Sequence, residues 1–97
     1  MNYLDNQVFL ETAEILKVIG HPIRLCILKG LYIEGEKNVT TMQGCLNIPQ
    51  STVSQHIGIL KNKGIIKGRR NGLEINYSIC NEKVIKILET LLKEELI

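Results

Sequence analysis

The chain has 97 residues and a formal net charge of +2, a length that fits one compact domain. With one Phe, three Tyr and no Trp, its core must be built mainly from Ile, Leu and Val. The sequence has no charged-then-apolar leader, no apolar run near membrane-spanning length and only three widely spaced cysteines, so we expect a soluble, cytoplasmic protein without disulfides.

The first third of the chain predicts two helices. Apolar residues recur at helical spacing over about residues 5–19, and Gly20 suits the end of that helix. Pro22 suits the first turn of a second helix, because its missing N–H is not needed there. Residues 34–38 (EGEKN) have the composition of a turn, and Val39 after them predicts a short strand.

The middle of the chain predicts two more helices with a tight break between them. Thr40 or Thr41 can cap a short third helix, which ends at the break formed by residues 47–49 (NIP). A fourth helix is predicted over about residues 50–63, with Gly64 at its end. Its apolar residues recur at helical spacing and are Val53, Ile57 and Leu60.

The last third predicts a hairpin and a final helix. From Ile65 the apolar pattern changes to a period of two, and Asn71-Gly72 between the two runs predicts a type I′ turn. Asn81 can cap a fifth helix, whose apolar stripe is wider than one small core requires. The order helix, helix, short strand, helix, helix, hairpin, helix predicts one domain over residues 1–97. Its fold class is mainly α with a small β-hairpin, a winged helix-turn-helix.

The charges are unevenly distributed along the chain. No Asp or Glu lies between Glu36 and Glu74, and this acid-free segment carries six positive charges, whereas the two flanks together carry a net charge of −4. Such a segment favours contact with a polyanion, although a solvated basic face would have the same composition. The basic residues are Lys37, Lys61, Lys63, Lys67, Arg69 and Arg70.

The fourth helix carries the best candidates for reading DNA, since the major groove admits one helix and side chains near its N-terminus reach the bases. Residues in its first half are Gln50, Ser51, Thr52, Ser54, Gln55 and His56. Five cations follow that could contact phosphate without reading sequence, and they are Lys61, Lys63, Lys67, Arg69 and Arg70. The alternative is an ordinary solvated helix surface. Next to the acid-free segment, we favour double-stranded DNA as the partner.

Two stretches also carry a family resemblance. Residues 16–31 read LKVIGHPIRLCILKGL, and residues 51–79 read STVSQHIGILKNKGIIKGRRNGLEINYSI. On these motifs the chain resembles the ArsR/SmtB family of bacterial winged-helix repressors over about residues 12–90. The resemblance implies a homodimer joined through the first and last helices, which binds an inverted-repeat operator. It also implies that such a repressor controls its own operon until an inducer, often a metal ion, weakens operator binding.

Site residues follow from the same resemblance. The fourth helix corresponds to the family's recognition helix, and the hairpin to its wing. DNA-reading roles are therefore implied for Ser51, Thr52, Ser54, Gln55 and His56, and backbone contacts for Arg69 and Arg70.

The metal sites of the family are not matched in this sequence. The positions of the arsenical-type cysteine cluster are Asn38, Thr40 and Gln43, and no histidine follows Tyr77 to form the zinc or nickel site of the last helix. The sequence therefore predicts no metal site and no cofactor. It also shows no nucleophile–base set or carboxylate pair, so we do not expect an enzyme.

The cysteines leave one alternative open. Cys45 shares a helical stripe with Met42, so we expect it in the core. We also expect Cys26 to have a structural role rather than a reactive one. Cys80 is the best reactive candidate, because a helix N-terminus lowers the pKa of a thiol. A Cys26–Cys80 pair would make the protein a redox- or persulfide-responsive repressor. A further alternative is a winged-helix module that binds protein and has lost DNA binding.

Overall fold

Five α-helices and one two-stranded sheet lie within residues 3–96, the part of the chain that the computed structural model describes. In chain order they are α1 Gln7–Ile19, α2 Pro22–Glu34, α3 Val39–Leu46, α4 Gln50–Asn62, β1 Ile66–Asn71, β2 Glu74–Ile79 and α5 Glu82–Leu91. Short 3-10 helices at Tyr3–Asp5 and Lys93–Leu96 flank them. This order confirms the predicted winged helix-turn-helix. The termini of the predicted domain, residues 1, 2 and 97, lie outside the described part.

Local capping explains where the helices begin. Asn6, Asn38 and Asn81 each accept hydrogen bonds from backbone N–H groups in the first turns of α1, α3 and α5. The prediction that Thr40 or Thr41 caps the third helix was therefore wrong, because Asn38 does so, accepting from the Thr41 N–H at 2.8 Å. No helix within residues 3–96 has both the length and the apolar character needed to cross a bilayer.

The short strand predicted at Val39 is also corrected. Val39 is the first residue of α3, since the Asn38 cap starts the helix there. Strand pairing occurs two residues earlier, where the backbone of Lys37 exchanges hydrogen bonds of 3.1 and 2.8 Å with Tyr77. The loop between α2 and α3 is thereby attached to the outer edge of β2.

The core is formed where α2, α4, α5 and the start of the hairpin meet. Its most deeply buried side chains are Leu28, Val53, Leu60, Ile65, Ile66, Val84 and Leu88. α1 contributes Val18 and Ile19 to this core, and partly buried Ile15 packs against it. The N-terminal part of its apolar stripe faces outward, with Val8 and Phe9 more than half exposed.

The hairpin pairs Ile66 with Ile79 at its base and Asn71 with Glu74 at its tip. Its two loop residues are therefore Gly72 and Leu73, and of these only Gly72 has positive φ, at 67°. The predicted type I′ turn over Asn71-Gly72 was wrong, because a positive φ at the first loop residue alone is the pattern of a type II′ turn.

Candidate nucleic-acid interface

α4 presents a polar stripe to solvent on the side opposite the core. Val53, Ile57 and Leu60 are buried, which turns the other side of the helix outward. The predicted DNA-reading side chains of this stripe are Gln50, Ser51, Ser54 and Gln55, all exposed, with half-buried Thr52 beside them. Within residues 3–96 these five side chains have no hydrogen-bond partner, so their donors and acceptors are available to a ligand.

The turn before α4 fixes the direction of this stripe. Asn47 ends α3 in the left-handed conformation, with φ of 55°. The Gln43 side-chain amide donates to the Ile48 carbonyl at 3.0 Å, and Pro49 leads into the first turn of α4. Two short helices with a rigid turn between them are thus held in one relative orientation, as a helix-turn-helix requires.

His56 was predicted to read DNA, a role that stays a prediction, and the structure places it outside the polar stripe. It is half-buried, and its Nδ1 accepts a hydrogen bond from Arg24 Nε at 3.1 Å. The His21 ring packs beside it with ring centres 4.6 Å apart, and Arg24 also donates to the Val18 carbonyl at 2.7 Å. Burial first, and then the neighbouring His21 and Arg24, lower the pKa of His56. The imidazole therefore links α4 to α1 and α2 through Arg24. The sequence did not predict this partner.

Lys63 was predicted to contact phosphate, yet it already has a partner. Its Nζ lies 2.9 Å from Glu14 Oε1 on α1, and this hydrogen-bonded ion pair lowers the pKa of Glu14. Lys37, another cation of the acid-free segment, is buried and pairs with Glu34 at 2.8 Å. Two acidic residues from outside the acid-free segment, Glu14 and Glu34, thus form ion pairs with lysines inside it.

The two arginines of the wing are not equivalent. Successive side chains of a strand point to opposite faces, so Arg70 shares a face with its partner Ile75 and with Tyr77, whereas Arg69 lies on the face of Asn76. Arg69 donates to both carboxylate oxygens of Glu36, at 3.1 and 3.3 Å from Nε and 2.9 Å from Nη2. These hydrogen bonds raise the pKa of Arg69. The two arginines therefore have different surroundings, and their predicted contact with phosphate stays a prediction.

Three of the predicted phosphate-contacting cations remain exposed without an ion pair in the described structure. They are Lys61, Lys67 and Arg70. Lys61 lies in the last turn of the helix that carries the polar stripe, and the other two lie on β1. The cations without an ion pair are therefore fewer than the sequence indicates, and on the hairpin Lys67 lies on the face of Arg69 while Arg70 lies on the opposite face.

The cysteines are arranged differently from the predicted pair. All three are exposed, so the placement of Cys45 in the core was wrong; α3 buries only Met42. Cys26 and Cys45 line one groove of about 220 Å³ between α2 and α3. Cys80 lines a different groove, and its Sγ lies 3.5 Å from the Gly64 carbonyl oxygen. The structure thus brings Cys26 near Cys45 rather than Cys80. Across residues 3–96, no three His, Cys, Asp or Glu side chains are grouped to hold a metal ion.

The polar stripe of α4 has no hydrogen-bond partner among residues 3–96, and the hairpin that follows carries cations without an ion pair there. These features define a winged helix-turn-helix DNA-binding domain. Residues 21–67 match the family model described as bacterial regulatory protein, arsR family. The transcriptional repressor PagR of Bacillus anthracis is 47% identical over 81 residues, covering 84% of this chain and 81% of the relative. The biofilm growth-associated repressor of Xylella fastidiosa (strain Temecula1) is 36% identical over 81 residues, covering 84% and 70%.

Solved structures agree with these relatives. The crystal structure of PagR from Bacillus anthracis has a TM-score of 0.80 at 45% identity, covering 87% of this chain and 95% of that one. HlyU from Vibrio cholerae N16961 has a TM-score of 0.85 at 25% identity, covering 91% and 95%. This chain belongs to the ArsR family of bacterial regulatory proteins, and it is a DNA-binding transcriptional regulator.

Proposed function

We propose that the chain acts as a homodimeric repressor of its own operon, which binds an inverted-repeat operator and is released by an inducer. The observation that carries this proposal is the exposed, unpartnered polar stripe of α4. An exposed row of amides and hydroxyls on the second helix of a helix-turn-helix is suited to base edges.

Apolar surface on α1 and α5 supports the homodimer. A groove of about 170 Å³ between these helices is lined almost entirely by apolar side chains, among them Leu16, Leu25 and Leu91. Leu91 is 72% exposed and Leu16 is 48% exposed in the single chain. A contiguous apolar face of this kind is suited to a second copy of the chain. A twofold dimer would then place two α4 helices in successive major grooves, with half-sites about one helical turn apart.

One group of side chains would read the base sequence, and another would bind the DNA backbone. Ser51, Ser54 and Gln55 would contact base edges, and Gln55 can form a two-bond fork with adenine. Lys61, Lys67 and Arg70 would contact phosphate and supply affinity without sequence preference.

Fluorescence anisotropy tests the proposal, using DNA from upstream of the chain's own gene and a scrambled duplex of the same composition. We expect tighter binding to the upstream DNA and affinity that falls linearly with salt on logarithmic axes, because phosphate contacts release counterions. A winged-helix module that has lost DNA binding would show neither preference nor salt dependence, and this outcome would refute the proposal.

A further inference from the structure

Glu36 occupies a position from which it competes with DNA for the wing. We propose that Glu36 sets the affinity of the wing for DNA phosphate by holding the Arg69 guanidinium in place of a phosphate group. This inference rests on the proposed DNA-binding function. It assigns a role to a residue outside the acid-free segment, at the boundary where that segment begins.

The contact is a fork rather than a single ion pair. Arg69 uses Nε and Nη2, and Glu36 uses both carboxylate oxygens, at distances from 2.9 to 3.3 Å. Oε2 of Glu36 accepts from both Nε and Nη2, and this same edge of a guanidinium binds phosphate oxygens. The edge of Arg69 that is best suited to phosphate is therefore already filled, and the Arg69–Glu36 pair carries no net charge toward DNA.

The backbone holds Glu36 in place for this contact. The next residue, Lys37, is paired with Tyr77 through two backbone hydrogen bonds at the outer edge of β2. Arg69 lies on β1 and reaches across β2 to the carboxylate. Glu36 is therefore fixed to the hairpin that it regulates, and is not the end of a freely moving loop.

Both partners are accessible to a competing anion. The side chains of Arg69 and Glu36 are 62% and 41% exposed. An exposed ion pair is weak in water, because solvent and salt screen it. Glu36 consequently reduces the contribution of Arg69 to DNA binding without burying or removing it.

The test compares Glu36→Gln with Glu74→Gln in the full chain. Glu74 lies on the same hairpin and its loss changes the net charge equally, but it contacts Asn38 instead of an arginine. Affinities are measured by anisotropy for upstream and scrambled DNA between about 50 and 200 mM salt. Melting temperatures of each variant confirm that the fold is retained.

We expect Glu36→Gln to tighten binding to both DNAs and to steepen the logarithmic salt slope by up to about 0.9, the value for one added phosphate contact. Over the fourfold salt range this steepening corresponds to an extra loss of about threefold in affinity. Arg69→Gln should leave the slope of the wild type nearly unchanged, yet cancel the gain when combined with Glu36→Gln. Glu74→Gln should give the smaller change that a general charge effect produces.

Two outcomes would overturn the inference while leaving the proposed function intact. In the first, the wild type binds DNA but Glu36→Gln weakens binding as Arg69→Gln does, which would make Glu36 a residue that positions Arg69 for DNA. In the second, Glu36→Gln and Glu74→Gln behave alike. A wild-type chain that binds neither DNA would instead refute both the proposed function and the role of Glu36.

Discussion

Gly68 lies where the wing packs against its own partner strand, and Gly68→Ala should destabilise the fold. Gly68 pairs with Tyr77 in the hairpin, on the face directed toward the core. A Cβ atom built there would lie 2.8 Å from Ile75 Cγ2 and 3.2 Å from Tyr77 Cε1. Non-bonded carbon atoms prefer separations of about 3.5–4.0 Å, so the substitution forces Ile75 and part of β2 to move.

The expected loss follows from two opposing terms. Overpacking of this kind costs about 1–3 kcal/mol, and replacing Gly by Ala returns about 0.4–1 kcal/mol by restricting the unfolded chain. The midpoints of these two ranges give a net loss of about 1.3 kcal/mol in the free energy of unfolding. For a domain of this size, that lowers the melting temperature by about 5–10 °C.

Gly44→Ala provides a matched control for the same chemical change. Gly44 lies inside α3, and an added Cβ there would meet nothing within 4 Å. This variant should gain about 1 kcal/mol from helix propensity. Thermal unfolding by circular dichroism compares the two at equal protein concentrations, because the proposed dimerisation would make the melting temperature depend on concentration. If Gly68→Ala melted at or above the wild-type temperature, the close packing of Ile75 and Tyr77 on β1 would be refuted.

Two further predictions concern the pH dependence and the dimer. Since the pKa of His56 is lowered from 6.5, its stabilising contribution is present above pH 6.5 and is lost as the pH falls through the lower folded value. In urea unfolding between about pH 5 and 7.5, wild type should lose more stability than His56→Gln on acidification; parallel curves would contradict this reasoning. Leu91→Glu should convert the proposed dimer to a monomer in sedimentation velocity, whereas Leu73→Glu, at a fully exposed turn residue, should not. Equal effects of the two would argue against the α1–α5 interface.

The strong periodic patterns made most of the fold predictable. The apolar spacing of α4 and the alternation in β2 depend on local sequence, and both elements formed as expected. The errors concern features set by single side chains or dihedral angles. Asn38 rather than a threonine begins α3, and the hairpin loop shifts by one residue to Gly72-Leu73. Asn and Thr are both common helix-capping residues, and the sequence allows the turn at either loop position. Only the folded geometry shows which cap and which turn are formed.

The candidate site was less predictable than the fold, because the side-chain partners that the sequence did not predict are distant along the chain. The bond of His56 to Arg24 spans 32 positions, and that of Arg69 to Glu36 spans 33. Periodicity reports which face of an element a residue occupies, but not which side chain from another element meets it there. The outward-facing polar stripe of α4 was predictable, whereas the hydrogen bonds of Arg69 to Glu36 were not.

The central claim is that α4 reads DNA sequence while the wing supplies affinity. Its most direct test is the ratio of the dissociation constants for scrambled and upstream DNA, measured for wild type, Gln55→Ala and Arg70→Gln. Gln55→Ala should lower this ratio by about 5- to 150-fold, equivalent to 1–3 kcal/mol, with little change in salt slope. Arg70→Gln should keep the ratio and reduce the slope by about 0.9. Equal losses of the ratio in both variants would contradict this division of roles.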